Sequence, residues 1–172
     1  MSISSTIGGV TKEITPSATV GGVVLEFDTI HTVSGGVLKE IFNKSSEWIW
    51  TEQDGATMTV SDDGLTVSIT RPTNGEGART NVMSLPSCKI TASITAKHYA
   101  SGFSGSVTLT CFTADGTAKG NVASVSPNGI TNKTASGSMQ LDAGEYYFAF
   151  GGGGGSQTGT TGFIGTVTIT VS

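Results

Sequence analysis

The sequence predicts an all-β fold: an antiparallel β-sandwich of the jelly-roll type, preceded by a short N-terminal segment of β-repeats. Three observations support this prediction. Apolar and polar residues alternate over several stretches, which is typical of strands with one buried and one solvent-facing side. Turn residues separate these stretches roughly every 8 to 15 residues. Helical periodicity is nearly absent, and its best candidate, residues 37–44, belongs to a repeat whose other copies favour strand.

A threefold repeat occupies the first 41 residues. Its copies begin at Gly8, Gly21 and Gly35, and each reads Gly-Gly, an apolar residue, two variable residues, Glu and an apolar residue. We expect each copy to form a turn at the glycine pair, followed by about five residues of strand. A unit this small cannot bury its own apolar face, so the repeats are expected to pack on one another or on other chains.

These Gly-Gly-Val-x-Lys-Glu-Ile units resemble the repeats that open virion proteins of tailed bacteriophages, especially tail and fibre components. The tryptophan that usually follows the valine in that family is replaced in all three copies, and the lysine is kept at Lys12 and Lys39. The resemblance covers about the first quarter of the chain and implies a role in the virion without specifying which one. We place the assembly element at the glycine pairs and the residue after each: Gly8, Gly9, Val10, Gly21, Gly22, Val23, Gly35, Gly36 and Val37.

Length and charge limit the domain organisation and the function classes. A chain of 172 residues can form one core with a small appended element, and the polar residues 43–46 suggest a boundary between an anchoring segment, 1–45, and a sandwich domain, 46–172. The net charge is −4, and the four basic residues from Arg71 to Lys97 are scattered, so nucleic-acid binding is not expected. We see no positively charged signal region and no run approaching about 20 apolar residues, so neither a signal peptide nor membrane insertion is expected.

About eight strands are expected after residue 46. The clearest pair is a hairpin of residues 56–60 and 65–70 with its turn at Asp63-Gly64. Residues 88–96 and 106–112 alternate most regularly, and we expect them to be neighbouring strands of one sheet. Further strands are expected near residues 79–84, 120–125, 136–141, 145–150 and 163–171.

The two cysteines, Cys88 and Cys111, lie on the apolar sides of those two regular strands. Two cysteines are too few to indicate a disulfide framework, so buried free thiols are the favoured interpretation. A disulfide between them is the alternative, and whether it can form depends on the register in which the two strands pair.

Several aromatic residues have a structural interpretation. Residues 141–147 are typical of a tyrosine corner, in which the Tyr146 hydroxyl bonds to backbone a few residues upstream. Trp48 and Trp50 share one face of a strand with Ile49 opposite, which favours a strand buried on both sides. One side would pack on the sandwich core, and the other on the N-terminal repeats or on a neighbouring protomer. A sugar-stacking platform is the alternative for the two indoles.

Two loops are candidates for a binding role. Tyr99 and Phe103, in the loop of residues 98–103, are the candidate glycan-binding aromatics. The glycine-rich residues 151–162 lack the Gly-Lys-Ser/Thr of a phosphate loop and precede a strand. A flexible hairpin loop is therefore favoured there, with an exposed tip that contacts a ligand as the alternative.

The sequence contains no recognisable catalytic constellation. His31 and His98 are far apart, neither has a neighbouring Cys or His, and both are expected to be solvated. Most acidic residues precede a glycine and are explained by turn chemistry. The Asp62-Asp63 turn has a calcium site as its alternative, but a plain turn is favoured. We therefore predict no enzymatic activity, no cofactor and no metal.

The sequence thus favours a non-enzymatic phage virion protein, a tail or fibre component that docks by its repeats and displays a β-sandwich. The expected partners are other virion proteins, further copies of the chain (a trimer is preferred by analogy with fibres) and a host-surface glycan. The expected location is the virion, after synthesis in the host cytoplasm. The alternatives are a capsid decoration or head-fibre protein and a carbohydrate-binding module, while a bacterial surface adhesin is disfavoured because no export signal is recognised.

Overall fold

The structure, a computed structural model, describes two compact units, Met1–Glu47 and Trp48–Ser172. In the first unit it describes the backbone of residues 3–7, 10–14, 17–20, 23–26, 29–34 and 37–43. In the second unit it describes backbone and side chains of residues 48–53, 55–156 and 159–172. Each unit is a β structure, and the described residues contain no helix.

The N-terminal unit contains three separate two-stranded antiparallel hairpins: β1 (Ile3–Ile7) with β2 (Val10–Ile14), β3 (Ser17–Val20) with β4 (Val23–Glu26), and β5 (Thr29–Ser34) with β6 (Val37–Asn43). The strand expected after each glycine pair is confirmed, including the one at residues 37–43. Each strand also pairs with the strand before the glycines, for example Ile7 with Val10. The repeat unit is therefore a whole hairpin, while the glycine pairs themselves lie outside the described residues.

The second unit is an antiparallel β-sandwich, as predicted. Sheet I has the order β14-β13-β16-β10-β7, with β11 also pairing with β16; its strands are β7 (Trp50–Glu52), β10 (Gly75–Thr80), β11 (Met83–Leu85), β13 (Val107–Thr113), β14 (Ala118–Val125) and β16 (Gly144–Gly152). Sheet II has the order β15-β12-β19-β9-β8; its strands are β8 (Thr57–Val60), β9 (Thr66–Arg71), β12 (Cys88–His98), β15 (Lys133–Leu141) and β19 (Phe163–Val171). A small hairpin of β17 (Gly154–Ser156) and β18 (Gly159–Thr161) lies between β16 and β19.

The hydrophobic core lies between the inner faces of the two sheets. Alternation buries every second residue of β12 and β13, because strand side chains point alternately to opposite faces. Aromatic rings fill the middle: Phe148 lies 4.9 Å from Trp48 between ring centroids, and Phe150 meets Phe163 of the opposite sheet edge-on at 5.4 Å. The core thus joins both sheets, and the outer faces are left for other contacts.

The predicted pairing of residues 88–96 with residues 106–112 is wrong. β12 pairs with β15 and β19 in sheet II, whereas β13 pairs with β14 and β16 in sheet I. Alternation shows that a strand has one buried face, but two strands facing one core from opposite sheets show the same pattern. Similarly, the single strand expected at residues 79–84 is two strands, β10 and β11.

The two cysteines consequently belong to opposite sheets, and both are buried free thiols. Burial raises the pKa of the Cys111 thiol to about 11 and also raises that of Cys88. Both therefore stay protonated at neutral pH and behave as small apolar core residues.

The tryptophan segment is buried on the side of its two indoles. Trp48 and Trp50 are buried, and the Trp50 indole N–H donates to the Gly64 carbonyl at 2.8 Å. Ile49 is 53% exposed, and the expected cover of its side by the N-terminal repeats or by a neighbouring protomer stays a prediction. The structural interpretation of the indoles is confirmed, because buried rings cannot form a sugar-stacking platform.

The tyrosine corner and the hairpin turns have the predicted geometry. The Tyr146 hydroxyl donates to the Asp142 carbonyl at 3.1 Å. In the β8–β9 turn, Asp63 accepts hydrogen bonds from the Ser61 hydroxyl and the Leu65 N–H. Its glycine, Gly64, has a φ of +70°, a conformation that residues with a side chain rarely adopt.

Sheet I contains the same turn at residues 113–117. The carboxylate of Asp115 accepts from the Thr113 hydroxyl and the Thr117 N–H, and Gly116 has a φ of +88°. In both turns these hydrogen bonds to the ionised carboxylate lower its pKa, the bond from the Ser or Thr hydroxyl being the first cause. Turn chemistry therefore accounts for both acidic residues, as expected.

Candidate functional site

The outer face of sheet II carries a continuous row of hydroxyl groups. In register, Thr59 of β8 pairs with Ser68, Ser68 with Thr166, Thr166 with Thr95, and Thr95 with Thr134 of β15. One hydroxyl residue from each of the five strands therefore lies in a line across the whole sheet. Neighbouring strands are about 4.8 Å apart, so the row extends about 19 Å.

Parallel rows flank it on both sides. The next row contains Thr66, Thr168, Ser93 and Ser136, while the row on the other side contains Thr57, Thr70, Ile164 and Lys97. This array exists because the strands of sheet II alternate apolar residues with Ser or Thr, which sends the hydroxyls to one face. We call this surface the hydroxyl face.

Neighbouring hydroxyls are hydrogen-bonded to each other. Ser68 and Thr166 are joined at 2.7 Å, and Thr95 and Thr134 at 2.8 Å. A hydroxyl group has one donor and two acceptor positions, so a pair that uses one bond keeps further capacity for a ligand or for water. The face is thus ordered and still able to form new hydrogen bonds.

A groove of about 380 Å³ lies on the hydroxyl face. The hydroxyls of β8, β9, β19 and β12 line it, together with Ile164, Lys97 and Asn132. Its volume falls in the range of small-molecule sites. Lys97 is the one charged residue among the described residues that line it, and its side chain is half-buried.

Tyr99 lies at the end of this face. Its N–H donates to the Gly162 carbonyl at 3.0 Å, which continues the β12–β19 register by one residue beyond His98. Tyr99 therefore follows Thr95 and Lys97 on the outer side of β12, and it is 47% exposed.

The residue opposite Tyr99 has to be glycine. A Cβ atom at Gly162 would lie 1.9 Å from the Arg71 carbonyl oxygen and 2.6 Å from that of Thr73. With no side chain across the ladder, the tyrosine ring has no neighbour at that position. Tyr99, one of the two candidate glycan-binding residues, thus lies at the end of the hydroxyl face.

The other candidate, Phe103, is not joined to it. Phe103 is half-buried, and its carbonyl accepts a hydrogen bond from the Gly129 N–H at 2.9 Å. Neither Tyr99 nor Phe103 is among the described residues that line the groove, and Tyr99 differs by its place at the end of the outer side of β12.

The expectation that His98 is solvated is wrong. His98 ends the buried face of β12 and is fully buried, with neither ring nitrogen hydrogen-bonded to a described residue. Gly154 packs on the imidazole, where a Cβ atom would lie 2.7 Å from Cε1. Extending the alternation of β12 by two residues from Ala96 would have predicted this burial. His31 lies in β5, and its side chain is outside the described residues.

The glycine-rich residues form the β17–β18 hairpin, in which Gly154 pairs with Thr161. Residues 157 and 158 at its tip lie outside the described residues. Hairpin geometry was the favoured interpretation, and the packing of Gly154 on His98 supplies a physical reason for glycine there.

The outer face of sheet I is built differently. Phe112 and Tyr147 stack in parallel with centroids 4.9 Å apart, and the Arg79 guanidinium lies 5.0 Å above the Tyr147 ring. Arg79 also makes two hydrogen bonds to Glu76, from Nε at 2.7 Å and from Nη2 at 2.9 Å. We call these four residues the aromatic cluster. Its members come from three strands, so no local pattern in the sequence indicates it.

Within the part of the chain that the structure describes, no three His, Cys, Asp or Glu side chains lie close enough together to hold a metal ion. The same residues include no helix that is long and apolar enough to cross a membrane.

The chain matches no protein-family model and no curated protein. Similar solved structures include the CBM22-1 xylan-binding domain of Paenibacillus barcinonensis Xyn10C, with 12% identity over 71% of this chain and 85% of that chain and a TM-score of 0.46. The CBM22-1-GH10 modules of Clostridium thermocellum Xyn10B, complexed with xylohexaose, have 14% identity over 70% of this chain and 26% of that chain, also with a TM-score of 0.46.

A third similar structure is the enzymatically active domain of bacteriophage CBA120 tailspike protein 4, with 17% identity over 74% of this chain, 20% of that chain and a TM-score of 0.36. The chain thus spans about a quarter or less of the second and third of these structures.

Proposed function

We propose that residues 48–172 form a non-enzymatic carbohydrate-binding module, and that residues 1–47 attach it to a virion. The observation that carries the first part is the hydroxyl face with Tyr99 at its end. A sugar ring has hydroxyls around its rim and apolar C–H groups on its faces. Ser and Thr hydroxyls exchange hydrogen bonds with such a rim, and an exposed aromatic ring packs on such a face.

The length of the hydroxyl face supports a chain-like ligand more than a single sugar. The central hydroxyl row extends about 19 Å across five strands, which is longer than one sugar ring. A glycan chain of the host surface is the ligand that we propose. No carboxylate is among the described residues that line the groove, so the general acid and base of a glycosidase have no counterpart there.

A glycan array with the full chain tests this proposal. We expect binding to at least one polysaccharide class, and we expect Tyr99→Ala to weaken it about tenfold, the effect of losing about 1.4 kcal/mol of binding free energy. Val82→Ala is the control, since Val82 is 48% exposed and belongs to the segment between β10 and β11 of sheet I. An array without any bound glycan, or binding that Tyr99→Ala leaves unchanged, would overturn the proposal.

The virion role rests on a different observation. Three copies of one hairpin occur in tandem, and no hydrogen-bonded ladder joins one hairpin to another among the described residues. Isolated two-stranded hairpins are marginally stable, and their free edges pair readily with further strands. We propose that other virion proteins or further copies of this chain supply these contacts, with a fibre-like trimer as the preferred assembly.

The solution mass of the full chain and of residues 48–172, measured by light scattering, tests the assembly role. We expect an oligomer that becomes a monomer on truncation. If both forms are monomers, the hairpins do not assemble the chain with itself, and the capsid decoration or adaptor alternative gains support.

A further inference from the structure

We propose that the groove on the hydroxyl face selects anionic glycans, whose carboxylate or phosphate group binds at Lys97. This inference rests on the proposed carbohydrate-binding function and adds the chemical class of the ligand.

The first support is the state of Lys97 itself. Lys97 pairs with Ile164 in the β12–β19 register, and both residues line the groove. Lys97 is half-buried, and no hydrogen bond or ion pair joins its ammonium group to any described residue. Lysine side chains cover neighbouring surface with their apolar stems and keep the ammonium group in contact with solvent, where an anion can reach it. A ligand anion would supply the missing partner.

The second support is a charge asymmetry between the sheets. The chain has 13 acidic and 9 basic residues, yet the five strands of sheet II contain no Asp or Glu at all. The same strands contain four of the basic residues: Arg71, Lys89, Lys97 and Lys133. The strands of sheet I include Glu52, Glu76 and Glu145. The strands of sheet I also carry Arg79 and Lys119. Arg71 is buried, and Lys133 pairs in register with the buried Ala96, so Lys89 and Lys97 are the two strand cations on the outer side of sheet II, where the strands carry no carboxylate.

Carboxylates near the groove do not cancel this charge. Glu52 accepts a hydrogen bond from the Met58 N–H at 2.9 Å, at the β8 edge of the sheet. β8 is three strands from β12, which corresponds to about 14 Å at the usual strand spacing. Charges separated by more than about 8 Å are largely screened at physiological ionic strength. Lys97 is thus available to an anion in the groove.

The third support is the neighbourhood that a bound anion would meet. Asn132 lines the same part of the groove and can donate two further hydrogen bonds from its amide. The Thr95 hydroxyl, two residues before Lys97 on the same side of β12, also lines the groove and can donate as well. A lysine combined with neutral donors suits an oxyanion that projects from a sugar ring.

A glycan array of matched pairs tests this inference, each pair presenting one glycan with and without its carboxylate or phosphate group. We expect the full chain to bind the anionic member about tenfold more tightly at low salt, the effect of one charge-assisted hydrogen bond. The advantage should shrink as salt is raised. Pairs that differ in a carboxylate and pairs that differ in a phosphate show separately which anion is selected.

Two lysine variants complete the test. Lys97→Met keeps the length of the apolar stem and removes the charge, and it should abolish the preference within each pair. Lys89→Met lies on the same face of the same strand but outside the groove, and it should keep the preference.

Each remaining outcome is decisive. Equal binding of both members of every pair would overturn anion selection and leave the carbohydrate-binding function standing. A preference that survives in Lys97→Met would overturn the assignment to this residue. An array without any bound glycan would overturn the carbohydrate-binding function together with the inference.

Discussion

The two outer faces of the sandwich differ in how their polar groups are satisfied. On sheet I, Arg79 lies over Tyr147 and is held by Glu76, so the cation, the carboxylate and the ring satisfy one another. On sheet II, the hydroxyls bond in pairs, and Lys97 has no charged or hydrogen-bonded partner among the described residues. The charged groups of sheet I therefore satisfy one another, whereas sheet II keeps a lysine unpaired among the described residues and hydroxyls with spare hydrogen-bonding capacity.

The largest difference should appear when one tyrosine on each sheet is removed. Tyr147→Ala loses a stacked ring pair, a cation–π contact and half-buried apolar area, so we expect the free energy of unfolding to fall by about 2 kcal/mol. Tyr99→Ala removes a 47% exposed ring and should change that free energy by less than about 0.5 kcal/mol. Urea unfolding measures both.

The binding assay should rank the same two variants in the opposite order. Tyr147→Ala should bind glycan like the parent chain, and Tyr99→Ala should bind about tenfold more weakly. Equal losses of stability in the two variants would break the comparison between the faces.

A threonine pair supplies a smaller and more closely matched contrast. Thr166 of sheet II bonds to Ser68, and Thr110 of sheet I donates to the Asn121 side chain at 2.9 Å. The Thr110 hydroxyl also lies 3.3 Å from the Thr108 hydroxyl, within hydrogen-bond distance. Replacing either threonine by valine keeps its shape and removes its hydroxyl, so each change should cost about 1 kcal/mol of unfolding free energy. Only Thr166→Val should also weaken glycan binding, because Thr166 lines the groove and Thr110 does not. A binding loss in Thr110→Val would show that the ligand lies on the other face.

The smallest expected effect is a pH dependence of stability, which should be similar for one turn of each sheet. The pKa of Asp63 in the β8–β9 turn and that of Asp115 in the β13–β14 turn are both lowered, first by the hydrogen bond from Ser61 or Thr113. A lowered pKa in the folded state stabilises the fold fully above the unfolded value of 3.8, and this stabilisation is lost as the pH falls through the folded value.

Urea unfolding between pH 7 and pH 2 checks this expectation. The parent chain should lose stability as the pH falls below about 4, and Asp63→Asn and Asp115→Asn should each reduce that dependence by a similar small amount. A change confined to one variant would show that the two turns are not equivalent.

Local patterns predicted the local structure. The Asp-Gly of the β8–β9 hairpin, the Tyr146 corner and the strand state of residues 37–43 each depend on neighbours along the chain, and each is confirmed. The same reasoning extended to partners across the core failed for β12 and β13, since their alternation is equally compatible with one sheet or with two facing sheets.

The candidate site was predictable only in part. Tyr99 was identified as an exposed aromatic, and the structure bears out its exposure. Its place at the end of the hydroxyl face follows from the β12–β19 register, which joins residues more than 60 positions apart. Likewise, the sequence shows Lys97 only as one of several scattered basic residues. In the structure it is the charged residue among the described residues of a groove that four neighbouring strands form.

The sequence by itself determined the β-rich composition, the alternation that separates a core side from a wet side, and the turns that connect the strands, because these depend on neighbouring residues. Only the tertiary structure decided which strands pair and which residues share a face. It assembled the aromatic cluster on sheet I and the hydroxyl face on sheet II from strands distant in the chain. The physical reason is that several strands share the same alternating pattern, so the pattern alone does not determine which of them pair. The pairing is decided by how well all the side chains of the core pack together, and no single stretch of sequence contains that information.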